Sequence, residues 1–207
     1  SLLSADFSHI AEDIKKVEAA GAKRLHLDVM DGHFVPNLTF GPLVIKAIRE
    51  CTSCHLETHL MIENPHHSID QYIDAGSDTV IIHLEASVNP EKELFHIKEQ
   101  EVRAGIALNP DTDENRLIPL LDYLDYILIM SVFPGRGGQS FISSTLDKMI
   151  NIVEMKGDRE ITIGVDGGVN LSTIAEVYKT GIDVTIVGSG LFKAENVSTR
   201  FQDLLNA

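Results

Sequence analysis

Short apolar runs and helix-spaced apolar stripes alternate along the chain at intervals of roughly 25 residues, the period of a strand followed by a helix. Leu2-Leu3-Ser4 reads as the end of a first strand. Phe7, Ile10, Ala11, Ile14 and Val17 then fall at helical spacing, with Asp6 placed to cap that helix and Gly21 to stop it. A second strand ends at Asp28, and Leu43 to Arg49 forms the next helix. The third strand, Leu56 to Met61, is closed by Asn64-Pro65 and followed by a helix through Ile69, Tyr72 and Ile73. Thr79 to Leu84 is an apolar run of the kind buried on both faces. Pro90 opens a helix through Leu94 and Ile97, leading to a fifth strand, Gly105 to Leu108. Leu117, Leu120, Leu121 and Leu124 make a stripe before the sixth strand, Tyr126 to Met130. A helix through Leu146, Met149, Ile150 and Val153 precedes Ile161 to Asp166, and one through Ile174, Val177 and Tyr178 precedes Val184 to Val187. Val197, Phe201, Leu204 and Leu205 share one side of a last helix.

Eight such units leave two α/β architectures, a closed parallel barrel or an open doubly wound sheet. The barrel is favoured. No Gly-x-Gly-x-x-Gly follows the first strand, and polar residues stand at the ends of most strands, as they do when every loop feeds one mouth. At 207 residues and 43% hydrophobic, with no linker or low-complexity stretch, the chain is expected to form one barrel domain over residues 1–207. Ser1 falls inside what reads as a strand, so a few residues are expected to precede it.

No apolar run approaches the ~20 residues that span a bilayer, and no basic-then-apolar leader opens the chain, so a cytoplasmic protein is expected. The net charge of −14, with scattered lysines and arginines, argues against nucleic acid or an anionic membrane as partner. It also means that an anionic substrate would need backbone amides or a metal ion to hold it. Cys51, Cys54 and His55 match the spacing of covalent haem attachment, but two cysteines with no secretory leader fit reduced thiols in a surface connection better.

The alternation in Arg24-Leu25-His26-Leu27-Asp28 places His26 and Asp28 on one strand face and the leucines on the other. A plain polar face would look the same. In the third strand Glu57, His59 and Met61 share a face, and in the seventh Thr162, Gly164 and Asp166 do. If these strands end at one barrel mouth, His26, Asp28, His59 and Asp166 converge. Two imidazoles and two carboxylates without thiolate suit one divalent ion per chain, Zn, Fe(II), Mn or Co, with Zn or Fe(II) foremost, rather than Ca or Mg. Glycines cluster after the last three strands, as Gly135-Arg136-Gly137-Gly138, Gly167-Gly168 and Gly188-Ser189-Gly190. Any one loop could be ordinary turn glycine; three neighbouring loops point to a phosphate held by amides.

His26 through Asn37, His59-Leu60-Met61-Ile62, Asn64-Pro65, Met130-Ser131-Val132, Pro134 to Phe141 and Val165-Asp166-Gly167-Gly168 resemble the ribulose-phosphate 3-epimerase family, with the likeness running from Ser4 to about Phe192. The resemblance implies a (βα)8 TIM barrel of the ribulose-phosphate-binding type. It implies interconversion of D-ribulose 5-phosphate and D-xylulose 5-phosphate in the pentose phosphate pathway, by metal-assisted removal and return of a proton at C3 through an enediolate. By motif, His26, Asp28, His59 and Asp166 would bind the metal, and Asp28 and Asp166 would be the acid/base pair. Ser4, His59, Gly135, Arg136, Gly137, Gly138, Gly167, Gly168, Gly188 and Ser189 would bind substrate, and Met30, Met61 and Met130 would line the cavity. A homo-oligomer, dimer or hexamer, is implied as well. Three positions depart from the family pattern: Arg136 stands where Phe is usual, Phe133 where a polar residue is common, and Glu57 where Asp is usual.

Three rival readings stand beside this one, the first differing in substrate alone. An epimerase of a hexulose 6-phosphate such as allulose 6-phosphate would share every residue above, and a silent phosphosugar-binding barrel would bind without turnover. A decarboxylase of the orotidylate type would resemble Asp-x-Lys-x-x-Asp, and Asp28-Val29-Met30-Asp31 has no lysine.

Overall fold

The computed structural model describes residues 1–207. Seven parallel strands pair strictly in chain order: β1 (Arg24–Met30), β2 (His55–Met61), β3 (Thr79–His83), β4 (Arg103–Leu108), β5 (Tyr126–Met130), β6 (Thr162–Asp166) and β7 (Val184–Ile186). Helices cover the outside: α1 (Ile10–Ala20), α2 (Pro42–Cys51), α3 (Ile69–Asp74), α4 (Pro90–Glu99), α5 (Thr145–Lys156), α6 (Ile174–Lys179), the short α7 (Ser189–Phe192) and α8 (Val197–Leu205). This is the (βα)8 barrel class that the strand-helix period predicts.

Both strand faces are buried, for different reasons. Leu25, Leu27 and Val29 of β1, with their counterparts on the other strands, face outward and pack under the helices in a core of 40 buried residues. The opposite face turns into the barrel. There Ile81, Ala107, Tyr126, Leu128 and Ile186 fill the lower interior, and the polar residues stand above them. The alternation in β1 therefore separates helix-facing leucines from barrel-facing His26 and Asp28, which are 3% and 2% exposed; a solvent-washed polar face is ruled out. Interior fit depends on size pairing. A side chain at Gly105 would press on Ile81, and one at Gly164 on Tyr126, so bulky and absent side chains sit opposite each other.

Three sequence expectations change. Leu2–Ser4 is a 3-10 turn rather than a strand end: the Ser1 hydroxyl accepts from the Leu3 amide and winds the segment locally. The Ser1 backbone nitrogen still reaches across to donate to the Val187 carbonyl at 2.9 Å, on the seam between β7 and β1. The leucine stripe over Glu114–Tyr123 is also 3-10, because Pro119 inside it lacks the N–H an α-helix would use, although Leu117, Leu120, Leu121 and Leu124 are all buried as the stripe predicts. In α5 the buried face is rotated away from Ile150, which is 41% exposed, toward Ile152 and Lys148. Lys148 Nζ donates to the carbonyls of Asn109, Pro110 and Thr112 at 3.0, 2.7 and 2.6 Å, so a lysine occupies the core edge with every hydrogen bond made. Tyr178 and Leu205 likewise lie at the exposed margins of their helices. Cys51 is exposed, Cys54 is buried, and both are free thiols. No helix is long and apolar enough to cross a membrane.

Candidate active site

Strand register builds the site. Pairing sets His26 beside Glu57, Asp28 beside His59 and Met30 beside Met61 in β1 and β2, and Met130 beside Asp166 in β5 and β6. Because alternate residues share the inner face, the four candidate ligands reach one point inside the barrel near its C-terminal end. The loop after β1 is folded back over this point by local bonds. Thr39 Oγ1 donates to the Asp28 carbonyl and accepts from the Met30 amide, while Asp31 accepts from the amides of His33, Phe34 and Glu63.

His26 Nε2 lies 3.2 Å from His59 Nδ1 and 3.4 Å from Asp28 Oδ1. His59 Nδ1 is 3.1 Å from Asp28 Oδ1, and Asp166 Oδ2 is 3.9 Å from His26 Nε2. One donor atom from each residue lies within 4.8 Å of the others. Metal bonds of about 2.0–2.2 Å leave neighbouring donors roughly 3–3.5 Å apart, so His26, Asp28 and His59 have the spacing a divalent cation needs and Asp166 stands slightly wider of it. It has the chemistry too: two neutral-capable nitrogens and two carboxylate oxygens, nearly all shielded from water.

Electrostatics at this point is uneven. Burial works against a charge on His26, but Asp28 above all, with Glu57 and Asp166 adding to it, lifts the imidazole to about 10. Burial opposes ionisation of Asp28 as well, and the His26 and His59 rings overcome it, holding the carboxyl well below its usual range. Asp166 moves the other way: burial, then the charge of Asp28, raise it. Two carboxyls a few ångströms apart are thus pushed toward opposite protonation states.

Above the cluster opens a cavity of about 430 Å³. Asp28, Asp166, Met30, Met61 and Met130 form its inner wall; Ser4, Gly135 to Gly138, Gly167, Gly168, Gly188 and Ser189 form its rim. His26 and His59 lie beneath it, fully buried. Every sequence-predicted site residue is therefore in this cavity or directly below. The rim loops are tied together: Ser131 Oγ donates to the Gly167 carbonyl at 2.6 Å, and Gln139 Nε2 to the carbonyls of Phe133 and Arg136 at 2.7 and 3.0 Å. Gly167 and Gly168 have φ of +122° and +66°, and a Cβ on Gly168 would stand 2.5 Å from the Phe141 amide nitrogen. The amides of Gly137, Gly138, Gly167, Gly168 and Gly188 donate to no carbonyl. A row of unspent N–H groups around one end of a cavity is a binding surface for an anion. Lys193 and Arg136 add positive charge at the same rim.

Sequence reasoning missed several groups. His83 Nε2 lies 2.8 Å from His59 Nε2, and its Nδ1 lies 3.0 Å from Glu85. His83-Leu84-Glu85 repeats the spacing of His26-Leu27-Asp28, a signal that the apolar character of the preceding run concealed. Ser1 Oγ donates to Asp28 Oδ2 at 2.5 Å, and nothing in a serine at that place announces it. Lys193 carries no local signal either. Glu57 shares a predicted face with His59 but is given no role by the sequence; it is buried, salt-bridged to Arg24 at 2.7 Å and 3.6 Å from His26 Nδ1.

Comparison with known proteins agrees with this geometry. Over 195 residues the chain is 44% identical to the ribulose-phosphate 3-epimerase of Bacillus subtilis strain 168, covering 93% of this chain and 90% of that protein. It is 41% identical over 211 residues to the Synechocystis enzyme of the same name, covering 100% and 92%. Among solved structures, a mutant tryptophan synthase α-subunit from Pyrococcus furiosus superposes with a TM-score of 0.73 at 14% identity, over 99% of this chain and 94% of that one, a likeness of fold alone. The profile described as the ribulose-phosphate 3 epimerase family matches residues 1–192, and with relatives this similar along their length the chain belongs to that family.

Proposed function

We propose that residues 1–207 act as one barrel domain that interconverts D-ribulose 5-phosphate and D-xylulose 5-phosphate by exchanging the proton at C3. The observation that carries this reading is the pairing of buried Asp28 with half-buried Asp166, two carboxyls with opposed protonation tendencies, on the wall of a cavity whose rim offers free amides. His26, Asp28, His59 and Asp166 would hold the divalent ion, and their borderline nitrogen and oxygen donors favour Zn or Fe(II). When bound, such an ion polarises the carbonyl and hydroxyl oxygens of a ketose and offsets the negative charge that develops on them.

The chain's own groups do the rest. One carboxylate accepts the C3 proton, and the other carboxyl, protonated at the start, delivers a proton to the opposite face of the same carbon. Direction of reaction decides which does which. Met30, Met61 and Met130 surround the reacting carbon with polarizable, water-excluding surface, and the glycine amides fix the phosphate so that C3 is carried to the carboxyls.

Reaction in deuterated water tests the route: label is expected at C3 of both recovered sugars. Turnover without label would remove proton exchange from the mechanism. For the phosphate, Gly168→Ala is expected to raise KM about 10-fold or more, the value of one lost charged hydrogen bond, with a smaller effect on kcat, because the added methyl must displace the Phe141 backbone. An unchanged KM would take Gly168 out of the anion cradle.

A further inference from the structure

Behind the four-donor cluster the barrel holds a line of polar groups that the proton transfers above do not use. His59 turns Nδ1 toward Asp28 and His26, and Nε2 toward His83 Nε2 at 2.8 Å. His83 is wholly buried, with its ring 4.8 Å from that of Phe34, and sets Nδ1 3.0 Å from Glu85 Oε2. The other Glu85 oxygen accepts from the Asn109 amide at 2.8 Å and from the Thr112 hydroxyl. That loop, which follows β4, is the one Lys148 grips by three carbonyls.

With one hydrogen on each ring and Glu85 ionised, the line admits one arrangement of hydrogens. An ionised carboxylate only accepts, so the hydrogen between Glu85 and His83 sits on His83 Nδ1. His83 Nε2 is then an acceptor, and the hydrogen between the two rings belongs to His59 Nε2. This leaves His59 Nδ1, the nitrogen that faces the cluster, with its lone pair, against the pull of Asp28 Oδ1 at 3.1 Å, which taken alone would place the hydrogen on Nδ1. We propose that His83 and Glu85 are positioning residues that lock His59 in the tautomer able to ligate a divalent cation through Nδ1. The inference rests on reading His26, Asp28, His59 and Asp166 as metal ligands; it adds that the end of the neighbouring strand, β3, decides which nitrogen of His59 is offered.

Glu85→Gln reverses the line without changing its shape. The Asn109 amide is a fixed donor, so the new side chain must turn its oxygen there and its NH2 toward His83 Nδ1. His83 then carries its hydrogen on Nε2, and His59 must carry its own on Nδ1. The experiment uses the full chain stripped of metal, with 15N-labelled histidine, titrated with Zn²⁺ against a chelator of known affinity. Wild type is expected to show His59 protonated at Nε2 only. Glu85→Gln is expected to move that proton to Nδ1 and weaken Zn²⁺ binding by about 10–100-fold, the usual cost of losing such a partner. His83→Phe keeps the ring volume and removes the acceptor; it is expected to populate both tautomers with a similar loss of affinity, and it decides the matter if Glu85→Gln lacks a cooperative thermal transition. Wild-type affinity and an unchanged His59 signature in the folded variants would overturn the positioning role. A wild-type chain that takes up no Zn²⁺ would instead overturn the metal-site reading, and the inference with it.

Discussion

Asp28→Asn and Asp166→Asn are each expected to lower kcat by about 10²–10⁴-fold, the contribution of a placed general acid or base. Asparagine keeps the volume and one carbonyl oxygen but cannot take or give the proton. Each change also alters the other carboxyl. Asp28 is one cause of the raised Asp166, so Asp28→Asn removes a repulsion and lets Asp166 ionise more readily. It also takes away the main partner that lifts His26. Deuterium exchange into substrate, followed separately from net conversion, distinguishes the two roles: a variant that still exchanges C3 hydrogen from one sugar without forming the other has lost only its return step. Thermal unfolding and bound-metal analysis on the same preparations separate lost chemistry from a lost site. Near-normal kcat in either folded variant would remove that residue from the proton path.

Gly164→Ala is expected to cost about 3 kcal/mol of stability, the upper part of the range for overpacking a core. Gly164 lies in β6 between Leu128 and Val184, where the barrel interior is narrow. A methyl there would stand 2.8 Å from Tyr126 Cζ and closer still to its hydroxyl. The ring has nowhere to retreat: Tyr126 is fully buried, and its hydroxyl donates to Glu57 at 3.4 Å. Adding Tyr126→Phe to Gly164→Ala is expected to return part of the loss, since the hydroxyl is the nearest obstacle, so the two effects should be less than additive. Denaturant midpoints of the four proteins in the cycle give the answer. Equal midpoints for wild type and Gly164→Ala would mean that the tyrosine has room to shift.

Strand periodicity was legible because it is local. Alternation in Arg24 to Asp28 needs only neighbouring residues to say which side chains share a face, and the same holds for Glu57, His59 and Asp166. Glycine runs after three strands were legible for the same reason. Depth was not. Polar alternation in a flat sheet means water, whereas in one curled into a barrel it means a second interior, and that curl belongs to all seven strands and the turn that bridges β7 and β1. His83 and Glu85 escaped notice because their importance comes from His59 and from Asn109 and Thr112, far away in sequence. Leu2–Ser4 misled because an apolar pair ahead of a serine fits strand and turn alike, and one hydroxyl bond from Ser1 settles it. Ile150 fitted its stripe equally well, until Lys148 found three carbonyls.

The seam where the first turn meets β7 is held by partners far apart in sequence. Ser1 bonds Val187 across 186 positions, Gln202 Nε2 donates to the Ala20 carbonyl across 182, and α8 lies along α1. Such contacts carry the greatest loop-closure cost, so they form late. A chain under synthesis therefore holds β1 with an open edge until β7 and α8 have been made. During that interval the edge is a template for pairing with other chains, so the unfinished barrel is more prone to aggregate than the finished one.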